Sequence, residues 1–241
     1  MNEFIPVFAA IAGGVLPALA WLWFWRREDS RHPEPRKLIA LAFFAGMVTV
    51  AIVIPIEQFV APYLEVAQGT WAAFLPASTL VFAAWSAVEE LCKYLAARWS
   101  VLRRREDDEP IDPVIYMVTV ALGFAAAENT LFLLSPLAGT SLLETIQTGD
   151  LRFVGATLLH VLASSVIGVA LGLSFYKRKR ARRRAVVIGV ILAIALHAAF
   201  NFLILNTPET NLLRTFGLVW IGLVALLGVL EFIKRIAPRW E

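Results

Sequence analysis

Four apolar stretches of this chain each carry polar groups that could do chemistry. The first is Glu89-Glu90-x-x-Lys93, the second Glu128-Asn129, the third His160, and the fourth His197-x-x-x-Asn201. Glu89 and Lys93 are four residues apart, Glu90 and Lys93 three, so on a helix both carboxylates reach the same ammonium. His197 and Asn201 likewise share a helical face, as do Phe124 and Glu128. Adjacent carboxylates in a low dielectric do not both ionise cheaply, and a neighbouring ammonium favours the charged form of one of them. That is a way to tune a carboxylate as a general base. Carboxylates, imidazoles and a side-chain amide suit water activation with oxyanion stabilisation. They equally suit a metal held by Glu and His. Other nucleophiles find no support: there is no Gly-x-Ser-x-Gly elbow and no His-Glu-x-x-His, and the Asp107-Asp108 pair falls in a loop stretch. The lone Cys92 excludes an internal disulfide or a multi-cysteine metal site and reads as a small buried apolar residue.

The elements that must position these groups are membrane helices. The chain has 241 residues, of which 59% are hydrophobic and only 17% charged, with a mean hydropathy of +0.70. This is the balance of an all-α polytopic membrane protein forming one domain over residues 1–241. Apolar runs long enough to span lie at about Phe4–Trp25, Leu38–Val60, Trp71–Arg98, Pro113–Leu134, Phe153–Tyr176, Ala185–Leu205 and Leu212–Phe232. Pro55 is expected to interrupt the second, Ala61–Thr70 to form a loop, and Ser135–Asp150 to hold a short surface helix. The first run is read as a span rather than a cleaved signal, because Arg26-Arg27 follow it.

Lys and Arg concentrate after the first, third, fifth and seventh runs. The positive-inside rule then predicts seven spans, with the N-terminus outside and the C-terminus cytoplasmic. The net charge of +3 and the tract Lys177–Arg184 are read as topology signals, not as nucleic-acid contacts.

A charge near the centre of a spanning helix costs roughly 2.5–3.5 kcal/mol. At a rise of ~1.5 Å per residue, Glu89 lies roughly 14 Å in from Arg98, His197 roughly 20 Å from Arg184 and Glu128 roughly 22 Å from Pro113. His160 lies about 18 Å from the inner face of a ~30 Å core. Matched depth in four helices argues for one buried site. Ser164, Ser165, Gly168 and Gly172, in the helix of His160, are read as packing residues. Glu57 and Glu231 are read as interfacial. The residues alone leave three classes open: a hydrolase, a proton-coupled transporter or ion pathway, and a scaffold held together by polar contacts.

The order Glu89-Glu90-x-x-Lys93, Phe124-x-x-x-Glu128-Asn129, His160, His197-x-x-x-Asn201, with the Pro-Glu-Pro turn at 33–35, resembles the PrsW family of intramembrane proteases. It is distantly similar to the CAAX-processing and bacteriocin-immunity (Abi) proteases, and departs from them in having Glu128 where their second motif has His. The resemblance covers about Trp25 to Asn201. It implies a peptidase of the bacterial plasma membrane that cleaves membrane-tethered proteins, anti-sigma factors among them. The partners expected are a membrane-anchored protein substrate and the bilayer, with no nucleic acid. On this reading Glu89 is the general base on water, tuned by Glu90 and Lys93. Glu128 and His160, with Asn129 beside them in the catalytic set, complete the water site or relay protons, and His197 and Asn201 donate to the oxyanion. No cofactor is expected from the likeness to glutamate-type proteases. A divalent metal such as zinc is the variant, held by Glu89, Glu128, His160 and His197.

Overall fold

The computed structural model describes residues 4–28, 32–71, 79–134, 142–206 and 212–236. These form seven helices: α1 (Phe4–Glu28), α2 (Arg36–Trp71), α3 (Thr79–Ser100), α4 (Asp112–Leu134), α5 (Leu142–Leu173), α6 (Lys179–Asn206) and α7 (Leu212–Ile233). Six of them are long and apolar enough to cross a membrane. The exception, α3, misses on apolarity because it carries Glu89, Glu90 and Lys93. The chain is a polytopic all-α membrane protein, as its composition requires. A bilayer leaves no water to satisfy backbone groups, so every spanning segment closes its hydrogen bonds internally as a helix.

The centre of the bundle is α4. Every residue from Asp112 to Ala126 is buried, and α5, α1 and α2 pack around it. Lipid tails are as apolar as leucine, so such packing relies on close backbone approach rather than on hydrophobic expulsion. Small residues supply it. A methyl group on Gly123 would fall on the Phe43 carbonyl of α2, and one on Gly46 would fall on the Val120 carbonyl of α4. Gly168 of α5 sits against the backbone of Pro113 and Val114, which bears out its reading as a packing residue. Large apolar side chains such as Phe44, Val48, Phe59, Ile191 and Val224 face outward, where hydrocarbon would surround them.

Three connections gather the basic ends on one side. Lys234, after α7, donates to Glu28 at the end of α1, 3.0 Å away. Arg182 near the start of α6 pairs with Asp107 of the α3–α4 loop at 3.6 Å. His32, after α1, meets Glu109 of that same loop. The Pro-Glu-Pro turn is pinned as well: Glu34 is buried and accepts from the Tyr116 hydroxyl of α4.

The structure corrects three boundaries. Trp71 ends α2 instead of opening α3, which begins at Thr79. α2 runs without a break through Pro55, Pro62 and the expected loop at 61–70. An internal proline removes one hydrogen bond, and that single loss leaves the rest of the helical ladder in place. At ~1.5 Å per residue its 36 residues measure roughly 54 Å, well beyond a ~30 Å core. Residues 142–150, expected as a separate surface helix, are the first turns of α5. The interfacial role read for Trp71 lies outside the described side chains.

The glycine contacts carry a test. Gly123→Leu should overpack the α2–α4 seam and destabilise by about 1–3 kcal/mol or more. Gly217→Ala, which meets nothing within 4 Å, should leave thermal unfolding in detergent unchanged. Equal melting of the two variants would remove close approach as the organising contact.

Candidate active site

Lys93 is fully buried and makes three polar contacts. Its ammonium donates to Glu90 Oε1 at 2.8 Å, to Glu89 Oε2 at 3.1 Å and to His160 Nδ1 at 2.8 Å. The Phe124 ring lies 4.1 Å from the same nitrogen, a cation–π contact. The i, i+3 and i, i+4 spacing on α3 produces the first two contacts; the third needs α5 alongside.

The hydrogen bonds assign the imidazole tautomers. His160 Nδ1 accepts from Lys93, so Nε2–H donates to Glu128 Oε2, 2.7 Å away. His197 Nδ1 lies 2.9 Å from Glu90 Oε1 and donates to it. The inward nitrogens, His160 Nδ1 and His197 Nε2, then face Glu89 Oε2 at 3.7 Å and 3.8 Å. The two rings meet edge to face with centroids 5.0 Å apart.

The paired glutamates have different surroundings. Glu90 is fully buried and takes bonds from Lys93, His197 and the Ser164 hydroxyl, the last at 2.7 Å. Glu89 reaches a cleft of about 110 Å³, lined also by Glu128, Asn129, His160, His197 and Asn201. Asn129 donates to Thr157 Oγ1 at 3.0 Å. The Asn201 side chain bonds to no described residue and is free to meet a ligand in the cleft. All eight residues singled out in the sequence therefore come together. Six line the cleft, and Glu90 and Lys93 support it from behind.

Three residues were misjudged or missed. Ser164, read as packing, holds Glu90; Ser165 bonds only to the Leu162 carbonyl. Thr157, which orients Asn129, carried no spacing signal. Glu57, read as interfacial, lies roughly 32 Å along α2 from Arg36, at the far edge of a ~30 Å core, and what the reading missed is its closeness to the catalytic groups. One of its oxygens is buried without a partner, and it is within electrostatic reach of Glu89, Glu128 and Lys93.

A family model described as "PrsW family intramembrane metalloprotease" matches residues 34–229. The chain belongs to the PrsW family. Proteins named "Protease PrsW" are similar to it along most of their length. The one from Geobacillus kaustophilus is 29% identical, covering 83% of this chain and 81% of the relative. That from Bacillus subtilis is 26% identical, with 82% and 84% covered. That from Clostridioides difficile is 26% identical, with 79% and 77% covered. No solved structure matches the chain. As a PrsW family member with six apolar spans, the chain is a multi-pass peptidase of the bacterial membrane.

The family description raises a metal, and the donor set suits one. One ligand atom from each of Glu89, Glu90, His160 and His197 lies within 4.8 Å of the others, an N/O set appropriate to zinc. Each histidine has its far nitrogen on a carboxylate, the support that ligating imidazoles need. The Lys93 ammonium, held by Glu89, Glu90 and His160, already stands there as a single positive charge. Glu128, placed in the expected metal set, lies behind the His160 ring instead, and Glu90 joins the cluster in its place.

The buried pair carries its own prediction. Lys93→Met strands two carboxylates and should lower stability by about 3 kcal/mol. Glu90→Gln combined with Lys93→Met should lose less, because no fully buried charge is left without a partner. Thermal unfolding in detergent reads both; a double variant weaker than the single would refute the ion-pair account.

Proposed function

We propose that this chain hydrolyses a peptide bond of a membrane-tethered protein inside the bilayer, with Glu89 as the base that activates water. The observation carrying this is the division between the paired glutamates: Glu89 opens on the cleft, while Glu90 is spent on Lys93, Ser164 and His197. Glu89 Oε2 takes a proton from a cleft water as the oxygen attacks the scissile carbonyl carbon. The same proton then passes to the departing amine nitrogen as the C–N bond breaks. Lys93 orients Glu89 through its 3.1 Å hydrogen bond. The Asn201 amide donates to the oxyanion from α6, and His197, steadied by Glu90, holds its Nε2 toward Glu89 one turn away on the same face. Glu128 keeps the His160 ring in place at the edge of the water site. An anti-sigma factor is the substrate class implied by the resemblance.

A second reading is favoured by the donor cluster and by the family's description. In it, Glu89, His160 and His197 hold a divalent ion, with Glu90 at hand. Such an ion supplies Lewis-acid polarisation of the water and of the scissile carbonyl. Glu128, whose side chain is 44% exposed, would then receive the water's proton. Family membership weighs against the transporter and scaffold alternatives.

The deciding experiment is cleavage of a membrane-tethered reporter by purified protein in lipid. Glu89→Gln should reduce turnover by about 10²–10⁴-fold with folding intact; full activity in that variant would remove Glu89 from the mechanism. A strong chelator should leave the wild type unaffected on the first reading. Loss on chelation, restored by zinc, would establish the second.

A further inference from the structure

At the basic end of the bundle, α3, α5 and α6 enclose a second cavity of about 510 Å³, outside the catalytic cleft. Its walls are of two kinds. Leu102, Leu171, Val186 and Val187 are apolar, and Val187 is 57% exposed. Arg98, Arg103, Lys179, Arg182 and Arg183 line the same cavity. Arg182 is neutralised by Asp107 at 3.6 Å. Among the described residues, the other four cations have no carboxylate partner, and Arg98 donates only to the Tyr94 hydroxyl, 3.1 Å away. Lys179 is the first residue of α6, so the positive end of a 28-residue helix dipole adds to the charge there.

A topology signal needs cations near the membrane surface, but it does not need a cavity with a cationic rim and an apolar wall. Such a site matches an amphiphile with an anionic head and hydrocarbon tails. We infer that this cavity binds one anionic glycerophospholipid, its phosphate among Arg98, Arg103 and Arg183 and its acyl chains along Val186 and Val187. The bound lipid bridges the end of α3 to the start of α6. Those two helices carry Glu89 and His197, so it would brace the cleft from the membrane surface.

Protein in neutral detergent, titrated with phosphatidylglycerol and with phosphatidylcholine and followed by native mass spectrometry, tests this. The wild type should retain phosphatidylglycerol in preference. Each cation near such a surface contributes roughly fivefold, so Arg98→Gln, Arg103→Gln and Arg183→Gln together should weaken retention roughly a hundredfold. Removing the same charge from a neighbouring cavity, with Arg178→Gln, Arg180→Gln and Arg184→Gln, should change it by no more than a few-fold. Should the first triple variant fail to fold, Arg103→Gln alone should weaken retention about fivefold. Equal effects of the two triple variants, or no preference in the wild type, would overturn the inference. Displacement by inorganic phosphate would also overturn it, making the site one for a free anion.

Discussion

The site rests on one buried ammonium. Lys93 has no water to solvate it, and an unpaired charge in hydrocarbon would cost several kcal/mol. The structure offsets that with two carboxylates, an imidazole nitrogen and an aromatic face. Each partner is then oriented by a further group: Glu90 by Ser164 and His197, and His160 by Glu128. Four helices are thereby locked at a common depth. The contacts that satisfy the charge are also the ones that aim Glu89 and the two imidazoles into the cleft.

The second constraint comes from the medium. Without a hydrophobic force between helices, the bundle holds through close contact along α4, where α1, α2 and α5 converge. This frame makes the polar cluster rigid enough for chemistry. It also explains the spread of burial: α4 is enclosed along most of its length, whereas α2 and α6 leave large apolar side chains on the outside.

Much of this was legible in the chain itself. Seven apolar runs became seven helices, and the Glu-Glu-x-x-Lys and His-x-x-x-Asn spacings put the right residues on common faces. The basic ends after α1, α3, α5 and α7 meet through Glu28, Asp107 and Glu109. The failures have two causes. Pro55 and the weakly polar stretch at 61–70 read as helix-ending signals, yet α2 continues through both. Glu57 was read only as interfacial, and its closeness to Glu89, Glu128 and Lys93 could not be seen from its own segment. Ser164 could not be told from a packing serine, because its partner Glu90 is 74 residues away.

Membrane class, helical content and the roster of reactive residues were determined by the sequence, because apolarity and 3.6-residue spacing are local properties. Which member of a pair does what was decided only by tertiary structure. Neighbours on a helix point about 100° apart, so Glu89 and Glu90 must face different surroundings. Nothing in their own segment says which side will be open. The placement of α5 and α6 made that choice: Ser164 and His197 enclose Glu90, and Glu89 is left at the cleft. The same placement set the tautomers, since a ring nitrogen becomes donor or acceptor only once its partner has arrived from another helix.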